Sequence, residues 1–365
     1  MDKMFKRTLL GAAVSLAAVS GSANAAIELA GQAVQFYGQA AGNVTLIDAG
    51  ETKSVGADLE SRIGFRGVVE FDDIAPNFIW QIEGGNANNS AKSGQLGARD
   101  TYLGFDFEGV GQFKFGRQLV AAYNYVDWPH SNPGLGNVFD WNNDIGGGYQ
   151  DRADSVLRYD SATWNGFNFQ ATLSNMTQDT QQMVSSVGAS FTKGVFNIHA
   201  GYYSQGDYEQ GVGEPEKFIV SGDANDQVKV NPEWTAWKNA GGGDVKETVA
   251  KRNYSIVGGA LYLGDVTLTA AYKAMEVGDA SQNAISATAQ YVIDSKYVLK
   301  AGYAATDDAK GTDNTADTAI SVRFGYLLPS SYWYIDSRNY KIANKDNGYN
   351  TDWANRILLG TEYYF

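Results

Sequence analysis

Near its C-terminus the chain alternates strictly. Ile357, Leu359, Thr361, Tyr363 and Phe365 fall on one face of an extended strand, and Arg356, Gly360, Glu362 and Tyr364 on the other. Successive side chains of a strand point to opposite faces, so one face is apolar and the other charged. Val266, Leu268, Ala270 and Tyr272 repeat the pattern against Thr267, Thr269 and Lys273. Ile320, Val322, Phe324 and Tyr326 do so against Ser321 and Arg323. In 56–71, Leu59, Ile63, Phe65 and Val69 alternate with Glu60, Arg62, Arg66 and Glu70. Such ribbons meet lipid on one side and water on the other. Hydrocarbon offers no hydrogen bonds, so each lipid-facing strand needs two neighbours and the sheet must close on itself.

Sixteen such segments are predicted between residues 33 and 365. Seven connections are short, as at 72–76, 108–111 and 161–166. Eight are longer: 48–55, 86–97, 119–151, 177–183, 205–251, 276–282, 306–317 and 341–353. Short turns at one rim and long loops at the other give an all-β fold, a 16-stranded antiparallel up-and-down transmembrane β-barrel. At about this strand number a barrel holds an aqueous channel. The longest loop, 205–251, shows no sustained alternation and is read without strands; a strand pair there would raise the count to eighteen.

Residues 1–25 are expected to be a signal peptide. Lys3, Lys6 and Arg7 precede the apolar run Leu9–Val19, and Ala23-Asn24-Ala25 supplies the cleavage site after Ala25. The barrel then occupies 26–365, exported through the periplasm to the cell outer membrane. The chain has no cysteine, hence no disulfide and no thiolate chemistry. Its formal net charge of −13 argues against nucleic acid as a partner. The 22 Tyr, 17 Phe and 8 Trp suit a barrel girdled by aromatics.

The stretch 119–151 leaves the strand pattern between Phe113–Arg117 and Arg152–Ser161. It holds Asp127, Asp140, Asp144 and Asp151, Trp128 and Trp141, two prolines and Gly146–Gly148. Irregular connections this long are uncommon in compact proteins and usually functional. The expectation is a third loop folded into the lumen, where it sets the bore. No Gly-x-Ser-x-Gly, phosphate loop or metal-spaced histidine cluster is present, and His130 and His199 lie outside any catalytic motif. No enzyme activity, cofactor or metal is expected.

The chain resembles a Gram-negative general diffusion porin along its whole mature length. The resemblance rests on Arg62-Ile-Gly-Phe-Arg-Gly67, the 109–117 stretch ending Phe-Gly-Arg, Arg158-Tyr-Asp-Ser161 and the terminal Tyr363-Tyr-Phe365. It implies a homotrimer of barrels among outer-membrane lipids and lipopolysaccharide. Tyr363 and Phe365 match the signal read by the barrel-assembly machinery. Small hydrophilic solutes and ions are the implied cargo.

It also implies wall arginines facing acids on the infolded loop. Arg62 and Arg99 match wall positions, Arg152 sits near the arginine after the loop, and Asp127 matches the loop's first acid. Arg158 lies opposite Leu157 and Tyr159 on its strand, and with Asp140 and Asp144 completes the expected constriction. Arg117 reads instead as a residue that pins the loop. Where relatives carry Pro-Glu-Phe-Gly-Gly, this chain has Asn132-Pro-Gly-Leu-Gly136, with no Glu. Trp128, Trp141 and Tyr149 carry an alternative, a sugar-selective channel in which aromatic rings contact a saccharide.

Overall fold

The computed structural model describes residues 26–49, 52–87, 95–131, 133–140, 143–176, 180–211, 217–220, 228–239, 241–243, 246–343 and 352–365. Sixteen barrel strands run in chain order. They are β1 (Val34–Ala49), β2 (Thr52–Leu59 and Ser61–Val69, interrupted at Glu60), β3 (Asn77–Ala87), β4 (Thr101–Phe107) and β5 (Gly111–Leu119). Then come β6 (Arg152–Ser161), β7 (Phe167–Ser174), β8 (Val184–Lys193), β9 (Phe196–Gln205), β10 (Arg252–Leu263) and β11 (Val266–Val277). The last are β12 (Ala280–Ile293), β13 (Tyr297–Thr306), β14 (Thr318–Leu328), β15 (Ser331–Lys341) and β16 (Ala354–Tyr364). Each pairs antiparallel with the next, and β16 returns to β1, from Gln39↔Tyr364 to Asp48↔Asn355, closing the ring.

The alternation read from the sequence holds in three dimensions. On β14, Ile320, Val322 and Phe324 are exposed on the outer surface while Ser321 and Arg323 are buried towards the lumen. On β11, Leu268 and Tyr272 point out, and Thr269 and Lys273 in. Rings meet beside the short turns. Phe107, Phe113, Tyr159 and Phe169 form one chain of contacts, and Phe65, Phe36, Phe365 and Tyr363 another. Aromatic girdles of this kind mark where a barrel meets the membrane interface. Asp294 and Ser295 join β12 to β13 with both φ values positive, 51° and 55°, the left-handed pair that matches hairpin twist.

Three expectations are corrected. β1 runs to Ala49 and β2 opens at Thr52, so most of 48–55 is strand, zipped by eight pairs from Gly42↔Leu59 to Ala49↔Thr52. The connection expected over 276–282 shrinks to Gly278-Asp279, because Val277 and Ala280 still pair. The 205–251 loop contains two short hairpins, Tyr208–Gly211 with Lys246–Val249 and Phe218–Val220 with Val228–Val230, and a helix, Pro232–Asn239. Neither hairpin joins the barrel sheet, so the ring stays at sixteen. A short strand, Ile27–Ala30, unforeseen in the sequence, folds back on the start of β1.

The lumen is filled on one side. The chain between β5 and β6 carries two helical turns, α1 (Tyr123–Asp127) and α2 (Gly136–Phe139). Val120, Ala122, Val126, Leu135, Val138 and Phe139 form one buried cluster with Val184, Tyr203, Ile256, Met275 and Ala304 of the wall.

Candidate functional site: the lumen and its constriction loop

The loop is held by hydrogen bonds along its length. Leaving β5, the amides of Ala121 and Ala122 donate to Thr172 Oγ1 at 3.0 Å and Ser186 Oγ at 2.9 Å. At the tip, Tyr340 Oη–H donates to the Gly134 carbonyl at 2.9 Å. On the return, Gln282 Oε1 accepts from the Asp144 amide at 2.9 Å, and Arg252 Nη1 donates to the Gly148 carbonyl at 2.8 Å. Backbone groups that leave a sheet need such partners once buried.

Leu135 lies in the stretch 132–136, which carries no acid. It is fully buried, and Gly302 on β13 makes room for it. A Cβ there would lie 2.6 Å from Leu135 Cδ1. Leu135 is thus an apolar anchor of the loop on the wall.

The wall left uncovered by the loop is basic. Arg62 and Arg66 point inward from β2, opposite Gln39 and Gln35 of β1. Arg99 Nε meets Glu83 Oε1 at 2.5 Å, and Glu83 Oε2 accepts from Tyr37 Oη–H at 2.8 Å. Arg152 Nε meets Asp100 Oδ1 at 2.7 Å. Arg158 Nε meets Asp160 Oδ1 at 2.8 Å, and Lys114 Nζ pairs with the same carboxylate. Burial, with Arg62 and Arg152 nearby, lowers the pKa of Arg99, and Glu83 opposes the shift. Arginine nevertheless stays charged at any working pH. Arg117 binds Asp154 at 2.9 Å and the Ala98 carbonyl at 2.7 Å, bracing the loop's departure.

The expected residues divide into two groups. Arg62, Arg99, Arg152 and Arg158 come together on β2, β6 and the turn before β4. Three of them have wall acids as partners, Glu83, Asp100 and Asp160, which the sequence did not single out. Glu83 was within reach of the alternation Trp80, Gln81, Ile82, Glu83, but the partner strand was not. The loop acids lie elsewhere. Asp127 is half-buried at the end of α1, where its Oδ1 accepts from Ser131 Oγ–H at 3.0 Å. Asp140 Oδ2 accepts from Tyr123 Oη–H at 2.7 Å, and Lys273 Nζ donates to the Asp140 carbonyl at 2.9 Å. Burial pushes the Asp140 carboxyl above the usual carboxylate range, against the pull of Lys273. Asp140 also lines a small cavity of about 210 Å³ with Tyr254 and Gly148. Asp144 sits beside β12 through the Gln282 contact.

Among the aromatics, Tyr149 Oη–H bonds the carbonyls of Asn253 and Glu276, at 3.2 and 3.1 Å, and its ring stands edge-on to Tyr203 and Tyr254. It packs the loop to the wall. Trp128 lies under Lys300 Nζ, 5.4 Å from the ring centre. Trp141 is outside the described residues.

Comparison with known proteins agrees with this architecture. Residues 12–331 match the family described as Gram-negative porin. The chain belongs to that family. Chitoporin of Vibrio furnissii is 31% identical over the full length of both chains. The anion-selective porin from Comamonas acidovorans superposes with a TM-score of 0.67 at 16% identity, over 91% of this chain and 99% of that one. Salmonella typhi OmpF, solved with daunomycin, gives 0.66 at 17% identity over 93% and 100%. This porin is therefore an outer-membrane channel protein, a closed barrel with a constricted lumen. Across the closing seam from β2, β14 and β15 carry a second charged cluster. Asp336 binds Arg323 bidentately at 2.6 and 2.7 Å and Arg338 at 2.7 Å. Arg323 lies 4.0 Å above the Tyr334 ring centre.

Proposed function

We propose that this porin is a passive channel for ions and small hydrophilic solutes, working as a homotrimer. The observation that carries the reading is the inward wall of Arg62, Arg66, Arg99, Arg152 and Arg158, opposite a loop packed to the other side of the lumen. Such charge needs water, and rings of charged side chains set selectivity in channels. Screening lengths at physiological salt are about 8 Å, so a field between the basic wall and loop acids such as Asp127 reaches across a narrow bore. Hydrated ions and polar solutes tolerate that field; an apolar solute must displace ordered water. The trimer is supported by a structural neighbour, Vibrio cholerae OmpT, described in a trimer form. Cleavage after Ala25, assembly through Tyr363 and Phe365, and contact with lipopolysaccharide complete the proposal.

A second reading has a specific support. The full-length similarity to a chitoporin favours a saccharide-selective channel, with Trp128 and Trp141 as the rings offered to the sugar. Single-channel recording in planar bilayers separates the two. Steps unaffected by chitooligosaccharides support general diffusion, and sugar-dependent blocking supports the selective channel. Absence of conductance overturns both.

A further inference from the structure

The chain has two histidines, and the fold brings them together. His130 follows α1 on the constriction loop, and His199 sits on β9. Their Nε2 atoms are 2.8 Å apart, and both side chains are buried, 0% and 3% exposed. Tyr125 stacks on His199 with centroids 4.9 Å apart, and Phe139 meets His130 edge-on at 6.0 Å. Gly258 on β10 leaves the space. A Cβ there would lie 2.7 Å from His130 Nε2 and 2.8 Å from His199 Nε2.

The neighbours dictate which nitrogen holds each proton. Asn197 Nδ2 donates to Ser190 Oγ at 2.9 Å and Thr192 Oγ1 at 2.8 Å. Its Oδ1 is therefore the atom that faces His199 Nδ1 at 2.8 Å, and Nδ1–H donates to it. A neutral imidazole has one donor and one acceptor nitrogen. His199 Nε2 is then a lone pair, and His130 Nε2–H donates to it. His130 Nδ1 is left bare, with no hydrogen-bond partner among the described residues. One more proton has two places to go. On His199 Nε2 it sets two N–H groups against each other. On His130 Nδ1 it creates a buried, unpartnered cation facing Lys300.

We propose that His130 and His199 are positioning residues for the bore, a neutral pair that ties the constriction loop to the wall and whose loss lets residues 128–131 stray into the channel. The proposal rests on the channel reading above. The tie is sensitive to acid. Burial, His199 and Lys300 together push the His130 imidazole down to about 3 from an ordinary 6.5. The folded state thus favours the neutral ring. The stabilisation is complete above the unfolded pKa and is lost as pH falls from there towards 3. The charged and titratable groups facing the pair are Lys300 and Tyr125. The Ser286 Oγ–H bond to the His130 carbonyl does not titrate, so the loop loosens without leaving the wall entirely.

The test is open-channel current noise in planar bilayers at neutral pH and near pH 4. Wild type is expected to be quiet at neutral pH and to flicker in acid. His199→Ala should flicker at neutral pH, with noise several-fold higher. His199→Gln keeps an oxygen to accept from His130 Nε2–H and takes no proton, so it should be quiet at neutral pH, with flicker starting at a lower pH than in wild type. Asp140 is common to all three, so differences between them isolate the pair. Identical noise in wild type and His199→Ala at both pH values overturns the proposal. If His199→Ala fails to insert, His130→Ala on the loop, which leaves the barrel wall intact, decides in its place: flicker at neutral pH supports the tie, and wild-type noise overturns it. A silent wild type would instead overturn the channel reading itself.

Discussion

Tyr340 and Gly134 meet across the lumen. The tyrosine hydroxyl on β15 donates to the loop carbonyl at 2.9 Å, and Gly134, with φ of 72°, turns the chain against Arg338. The tip of the loop is thus fastened to a strand next to the barrel's closing seam, far around the ring from where the loop begins on β5.

Tyr340→Phe removes that fastening, together with the hydroxyl's contact with Arg338, and keeps the ring. One neutral hydrogen bond contributes about 1 kcal/mol. We expect unchanged barrel stability and more frequent partial closures in single-channel traces. A trace indistinguishable from wild type would show that the tip is held by packing alone.

Arg62→Ser and Arg99→Ser each take one fixed positive charge from the lumen wall. Both should move the reversal potential in a salt gradient towards cation preference. For Arg99→Ser the shift should be partly offset by adding Glu83→Gln, which removes the carboxylate left without its arginine. An unchanged reversal potential in both single variants would remove these arginines from the conduction path.

How much of the fold and the lumen was legible in the sequence follows from the range of each signal. Alternation is local, so Ile320, Val322 and Phe324 announced their face without knowledge of any neighbour. The sixteen strands and their closure followed from it. Partnership across strands is not local. Arg99 with Glu83 and Arg152 with Asp100 depend on which strands lie side by side and in what register. The wall acids therefore gave no sign of their partners, whereas the loop aspartates stood out in a polar, strandless stretch. Leu135, Val138 and Phe139 looked like loop residues because their partners, including Ala304 and Ala319, arrive from the far end of the chain. The histidine pair was hidden for the same reason.

Asp336 is the most demanding residue of the second cluster. Its side chain is 0% exposed and holds two arginines. Removing one partner of a buried ion pair costs about 3–5 kcal/mol, because the other charge stays buried and uncompensated. Asp336→Ala should lower the denaturant midpoint of the detergent-folded barrel, whereas Arg338→Ala, which leaves the Arg323 pair intact, should cost much less. Equal midpoints for the two variants would contradict the bidentate Arg323 contact as the main support.

Gly302→Ala places a methyl where Leu135 now sits. Overpacking of this kind costs about 1–3 kcal/mol. We expect the loop to be displaced into the bore and the unitary conductance to fall. The double variant Gly302→Ala with Leu135→Ala should recover conductance, and failure to recover it would separate the two residues.

The seam between β1 and β16 orders events in time. β1 is made before the other fifteen barrel strands, and its second neighbour is the last of the sixteen. Throughout synthesis and export, then, the polypeptide carries an unsealed margin of backbone donors and acceptors. The ring can seal only once all sixteen strands are present, so closure is the last event the order of the strands allows.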